Sequence, residues 1–174
     1  MVSGMYMGEV VRCVLASLCK RGLIFGGVGT PKLFQPYVID TSFVSIVESD
    51  KKDEFIQTRA ALQRMDLNDV TDEECENVKL VCCRVSTRSA YLVSAAIATI
   101  LNKIKRPHTT VGVDGSVYRF HPHFHNLMVK KISELTNPEY NFDLMLSEDG
   151  SGRGAALVAA VAAKHREMGI VPSQ

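Results

Sequence analysis

The sequence predicts an α/β or α+β chain, with several helices packed on a small sheet. Three observations carry this. Apolar residues recur at helical spacing through most of the chain. The pair Asp114-Gly115 stands between two β-rich runs, a hairpin signal over 109–119. Near the end, Leu144-Met145-Leu146 leads into Gly150-Ser151-Gly152-Arg153-Gly154 and then an alanine-rich run, which reads as strand, glycine loop and helix. Three strands make a thin sheet that calls for further strands. The 174 residues carry no repeat or internal boundary and read as one domain or a large piece of one.

In chain order, residues 1–20 form a helix. Its apolar stripe is Met5, Val10, Val11, Val14, Leu15 and Leu18, with Glu9, Arg12 and Lys20 outside it and Gly22 ending it. Residues 26–36 are loop, punctuated by glycine and proline. Thr41 or Ser42 can cap a short helix through Val47. Residues 53–67 form an amphipathic helix with Phe55, Ile56, Ala60, Leu62 and Met65 as its inner face. Thr71 and Glu74 make a capping box that opens the longest helical pattern, running to about Lys105. Ser86, Thr87 and Arg88 interrupt its apolar middle and read by pattern as a solvated stripe. After the hairpin, residues 124–135 are a helix that Asn137-Pro138 ends. Residues 142–146 are the last strand, and 169–174 a frayed tail.

Composition excludes several roles. Twenty basic and nineteen acidic side chains leave a formal charge of +1, so no global field attracts nucleic acid or an anionic membrane. No apolar run approaches a membrane span, and residues 1–6 do not resemble a secretory signal. The cysteines 13, 19, 75, 82 and 83 are odd in number and contain no CxxC pair, which argues against zinc and for a reduced, cytosolic compartment.

Two motifs carry possible chemistry. The glycine run would present backbone N–H groups at a helix N-terminus, where phosphate binds, with Ser151 and Arg153 adding a hydroxyl and a cation. It lacks the Gly-Lys-Ser/Thr ending of a P-loop, so phosphate site and tight turn both stand. The cluster His121, His123 and His125, with His108 ahead of it, spaces ligands like a metal site. Pro122 breaks the strand ladder, however, and no carboxylate accompanies the cluster in the sequence, so the histidines and cysteines read as structural.

Five segments, in order, resemble the C-terminal part of the hexokinase family, which includes glucokinase. They are Met1 through Glu9, Val85-Ser86-Thr87-Arg88-Ser89-Ala90, Thr110-Val111-Gly112-Val113-Asp114-Gly115-Ser116-Val117-Tyr118, His121-Pro122, and Leu146-Ser147-Glu148-Asp149-Gly150-Ser151-Gly152-Arg153-Gly154-Ala155-Ala156. The resemblance implies transfer of the γ-phosphoryl group of Mg-ATP to the 6-hydroxyl of glucose and other hexoses. It also implies part of the large lobe of an actin-like, ribonuclease-H-like fold, with residues 1–174 as a single incomplete domain. By that resemblance Gly4 and Met5 lie near the nucleotide phosphates. Thr87, with Arg88 and Tyr91, lines the adenine–ribose pocket. Asp114 and Gly115 belong to the adenosine side, and Gly150, Ser151 and Gly152 contact the α-phosphate side of ATP.

The same resemblance places the catalytic aspartate, the first phosphate loop and the sugar-binding glutamates upstream of these residues. It assigns no catalytic residue and no Mg²⁺ ligand here. The isolated stretch is therefore expected to be inactive, to bind ATP weakly, to meet hexose only through the missing lobe, and to self-associate through an exposed apolar face. Glu148 and Asp149 do not replace the base. Gln35-Pro36 departs from the family's usual Arg-Gly, and Arg106-Pro107-His108 is a short version of its loop. The competing reading is a short protein, derived from a hexokinase, that binds nucleotide or a partner without catalysis.

Overall fold

A computed structural model describes residues 2–51, 53–147 and 150–167. The order is α1 (Met7–Lys20), α2 (Thr41–Ser49), α3 (Ile56–Gln63), α4 (Asp72–Ile104), β1 (His108–Val113), α5 (Ser116–Phe120), α6 (Phe124–Leu135), β2 (Asn141–Leu146) and α7 (Gly150–Glu167). Two 3-10 turns, Phe25–Gly27 and Lys32–Phe34, fill the loop after α1. The tail from 168 onward, and the pair Glu148 and Asp149, lie outside the described residues.

The capping box forms as its residues dictate. The Thr71 hydroxyl accepts from the Glu74 N–H at 3.2 Å, and the Glu74 carboxylate accepts from the Thr71 N–H at 2.9 Å. From it α4 runs 33 residues and packs on α1, α2, α3 and α6. Cys75, Val78, Cys82, Ser86, Ser89, Ser94, Ala98 and Leu101 are its buried line. By length and composition α4 would also pass as a membrane span, with mean hydropathy 1.2, although the sequence shows no uninterrupted apolar run of that length. Core helices pass the same test, and α4 packs on four helices.

α1 is rotated relative to its predicted stripe. Met7, Val11, Leu15, Ala16 and Cys19 face the core, while Met5 is 74% exposed and Val14 lies outside. Arg12 is buried, because Glu9 grips it at 2.6 and 2.8 Å and the Leu33 carbonyl accepts from it at 3.1 Å. Pairing lets a charge occupy a face that periodicity assigns to water. The helix ends at Gly22, φ 73°, as predicted: Gly22 and Leu23 donate to the Cys19 and Leu18 carbonyls.

The N-cap of α2 is Asp40, whose carboxylate accepts from the Phe43 N–H at 3.0 Å. α3 is shorter than predicted and turned. Asp50 accepts from the Gln57 and Thr58 N–H groups, so the helix starts at Ile56 and buries Thr58, Ala61 and Leu62. Ile56 and Ala60 are exposed, whereas Leu62 and Met65 are buried as expected.

The predicted hairpin does not form. β1 pairs with β2 in parallel, from His108↔Asn141 to Val113↔Leu146. Gly115 has φ 128° and ψ 149°, not the left-handed pair that a two-residue turn requires, and the chain continues into α5, where Val117 is buried. The apolar character of Ser116-Val117-Tyr118 belongs to one short helix turn. Parallel strands need a long crossover, which α5 and α6 supply. Each strand alternates exposed and half-buried residues, with Val111, Val113, Phe142 and Leu144 against the core. The described sheet has these two strands.

The glycine run is not a loop either. α7 begins at Gly150, so Ser151, Gly152 and Gly154 are its first turns, and every described residue from Ser151 to Arg166 except Gly154 is exposed.

Candidate functional site

β1 and β2 end level, which places the segments that follow them side by side. The Ser147 N–H, just past β2, donates to the Val113 carbonyl at 2.9 Å. Asp114 and Gly115 follow on the other strand. A Cβ on Gly150 would stand 2.4 Å from the Ser147 Oγ and 3.7 Å from the Asp114 Oδ2. Gly150 therefore occupies a place that a side chain would share only by displacing Ser147. Gly115 adopts a φ/ψ region that is essentially glycine's alone.

The N-terminal segment completes the cluster. A Cβ on Gly4 would stand 3.1 Å from Val117 and 3.3 Å from the Ser116 hydroxyl. The Gly4 carbonyl accepts from the Thr41 hydroxyl at the start of α2. The Val2 carbonyl accepts from Ser89 of α4 at 3.1 Å. Gly150 thus lies beside Asp114, and Gly4 beside Ser116 just after Gly115, which gathers four of the predicted site residues past the carboxyl end of a parallel sheet, where ligands of α/β folds bind. Ser151 and Gly152 continue from Gly150 in the exposed first turn of α7.

The α4 residues are divided by the fold. Ser86 and Ser89 are buried, Thr87 is half-buried and Arg88 exposed, so the solvated stripe is only Thr87 and Arg88. Tyr91, one turn from Thr87, is half-buried with the Lys131 ammonium of α6 4.4 Å over its ring. α4 is tied to the N-terminal segment through Ser89, which donates to the Val2 carbonyl. Met5 stands exposed beside Gly4. The sequence offers Thr41 only as a helix cap, a place that Asp40 takes, and points to no role for Ser89, Ser116 and Ser147. Ser116 and Ser147 lie inside quoted motifs, but only the fold shows that they touch glycine.

The cluster suits a phosphorylated ligand. Two glycines leave backbone accessible, Ser116 and Ser151 bring hydroxyls, and an 18-residue helix begins at Gly150. Among the described residues no group of three or more His, Cys, Asp or Glu is placed to hold a metal. The histidines take different partners. His108 pairs with Asp143 at 2.8 Å, His125 with the Tyr118 hydroxyl at 2.6 Å, and His121 is buried 3.4 Å from Glu48. Carboxylates accompany the histidines after all, brought from other elements. Cys19, Cys75 and Cys82 are buried and Cys13 and Cys83 exposed, with all five thiols free. Burial pushes the Cys82 thiol well above its ordinary value.

A family model described as hexokinase matches residues 1–161. The chain belongs to the hexokinase family. It is 42% identical to human Hexokinase-1 over 172 residues, covering 95% of this chain and 18% of that protein. It is 44% identical to human Hexokinase-2 over 168 residues, 93% of this chain and 18% of the relative. A hexokinase from Brugia malayi is 38% identical over 164 residues, 94% of this chain and 29% of its own length. Among solved structures, a hexokinase from Schistosoma mansoni complexed with glucose superposes with a TM-score of 0.87 at 38% identity, covering 91% of this chain and 36% of that one. The chain thus spans less than a third of these curated relatives. Its fold is that of part of a hexokinase, an actin-like ATPase architecture, as the five motifs imply.

Proposed function

We propose that these residues form the nucleotide-side wall of an ATP-dependent hexose 6-phosphotransferase. The observation that carries the reading is the gathering of Gly4, Asp114, Gly115 and Gly150 past the level ends of β1 and β2. In this reading the phosphates of Mg-ATP lie against the N-terminal turn of α7 and the Gly4 backbone. Ser116 and Ser151 donate to phosphate oxygens, and the Asp114 carboxylate accepts from a hydroxyl on the adenosine side. Thr87, Arg88 and Tyr91 flank that side from α4. Phosphoryl transfer is mainly positioning plus charge stabilisation, and a rigid backbone cradle supplies the positioning. Mg²⁺ would neutralise phosphate charge and arrive with the nucleotide. The base and the hexose contacts come from residues outside this stretch, so these 174 residues alone are not expected to turn over. Free thiols suit the cytosol, where we place the protein.

The test is hexose phosphorylation by the protein at its native length, with Gly150→Val as the variant. The valine is expected to raise the KM for ATP about tenfold or more through loss of backbone approach, with the KM for hexose unmoved. An unchanged KM for ATP overturns the site. ATP binding with no phosphorylation of any hexose overturns the enzyme reading and leaves a nucleotide-binding protein.

A further inference from the structure

Glu48 lies in the last turns of α2 with its side chain 4% exposed, and His121 follows α5 with its side chain fully buried. Glu48 Oε1 and His121 Nε2 stand 3.4 Å apart, and among the described residues neither atom has a hydrogen-bond partner. Each is the other's available partner, and leaving either alone in the core would be costly. The second ring nitrogen, Nδ1, accepts the His123 N–H at 3.3 Å. A nitrogen that accepts carries no proton, which leaves Nε2, 3.4 Å from Glu48 Oε1, as the N–H of the ring. The His123 ring Nε2 also lies 3.3 Å from the Glu48 carbonyl. Two contacts therefore tie the end of α2 to residues 121–123. On α4, burial and then the Glu48 charge push the Cys82 thiol well above its ordinary value.

α5 needs such a tie. It has five residues and no side-chain N-cap, and the glycine before it brings no side chain to hold it. α2 already holds the other side of the cluster, since Thr41 at its start donates to the Gly4 carbonyl. We infer that Glu48 is a positioning residue: it receives the Nε2 proton of His121, anchors α5, and so sets Asp114, Gly115 and Ser116 against the nucleotide. The inference rests on the reading of those three residues as nucleotide contacts.

The experiment compares Glu48→Ala, Glu48→Gln and His123→Ala in the protein at its native length. Glu48→Ala is expected to raise the KM for ATP about tenfold, the scale of one lost hydrogen bond, with the KM for hexose unmoved. Glu48→Gln keeps an acceptor and is expected to restore most of it. His123→Ala removes the second tie from an exposed residue and is expected to raise the KM for ATP about threefold. Long-range ¹⁵N–¹H spectra of the unmodified protein should place the His121 proton on Nε2. A proton on Nδ1, an unchanged KM for ATP in Glu48→Ala, or equal movement of both KM values overturns the inference. If Glu48→Ala does not fold, His123→Ala decides, and no change there overturns it. Gly115→Ala separates the two readings: if it leaves the KM for ATP unmoved the nucleotide assignment fails, while the histidine spectrum still reports the tie.

Discussion

Gly8 lies in a family motif, yet its role is packing. A Cβ there would stand 2.4 Å from backbone atoms of Ile39 and Asp40, which cannot move aside as a flexible side chain would. It lets α1 seat directly on the entrance to α2. Gly8→Ala should cost about 3 kcal/mol and lower Tm by roughly 10 °C, which calorimetry would register. Its neighbour Glu9 works by charge. The Arg12 guanidinium, and then the Tyr37 N–H, hold the Glu9 carboxyl at about 2, below the ordinary 4.5. In the unfolded chain Glu9 takes up its proton near 4.5. The stabilisation is therefore complete above that pH and is lost as pH falls from 4.5 towards 2. In denaturant titrations across pH, Glu9→Gln should be less stable than the parent at neutral pH, and the gap should close below pH 4.5. A gap that persists at pH 2 would show that Glu9 acts through shape rather than charge.

Among the elements, α4 depends on its start. Thr71 caps the first turn from an exposed position, whereas Glu74 also accepts from the Phe25 N–H at 2.6 Å, so Thr71 is the member whose removal alters little else. Thr71→Ala should lower stability by about 1 kcal/mol, read as a fall in the urea midpoint at constant slope. The box was legible because its spacing is local. The turn at Asp114-Gly115 was not, because Asp-Gly followed by Ser116 and Val117 serves equally before a hairpin strand or a helix. The partner of β1 turned out to be β2, beyond α5 and α6. The glycines of α7 misled in the opposite sense: three glycines suggest a loop, yet helix geometry accommodates them at a first turn, where the alanine run behind them propagates the helix.

At the scale of the whole molecule, the described sheet has two strands, and none of the described side chains of α7 is buried in the core. Leu157, Val158 and Val161 are 67%, 71% and 52% exposed, and Tyr6, Val14 and Tyr37 border an apolar groove of about 620 Å³ along α1. Such surface seeks cover. Made alone, these 174 residues should self-associate in sedimentation velocity at micromolar concentration. Charging α7 with Leu157→Glu and Val161→Glu should reduce the association. A monomer insensitive to both changes would show that the exposed face is compatible with water.

Local chemistry alone determined the long helix and its cap, the helix over 124–135, the final strand and the five motifs that resemble hexokinase, because spacing and capping act between near neighbours. Tertiary structure decided what distant segments do to one another. It turned Arg12 of α1 onto the Leu33 carbonyl, and it paired β1 with β2. It brought Gly4 to Ser116 and Asp114 to Gly150, and it buried His121 against Glu48. Each of these depends on which surfaces meet once the apolar faces are buried, and no short-range pattern encodes that meeting.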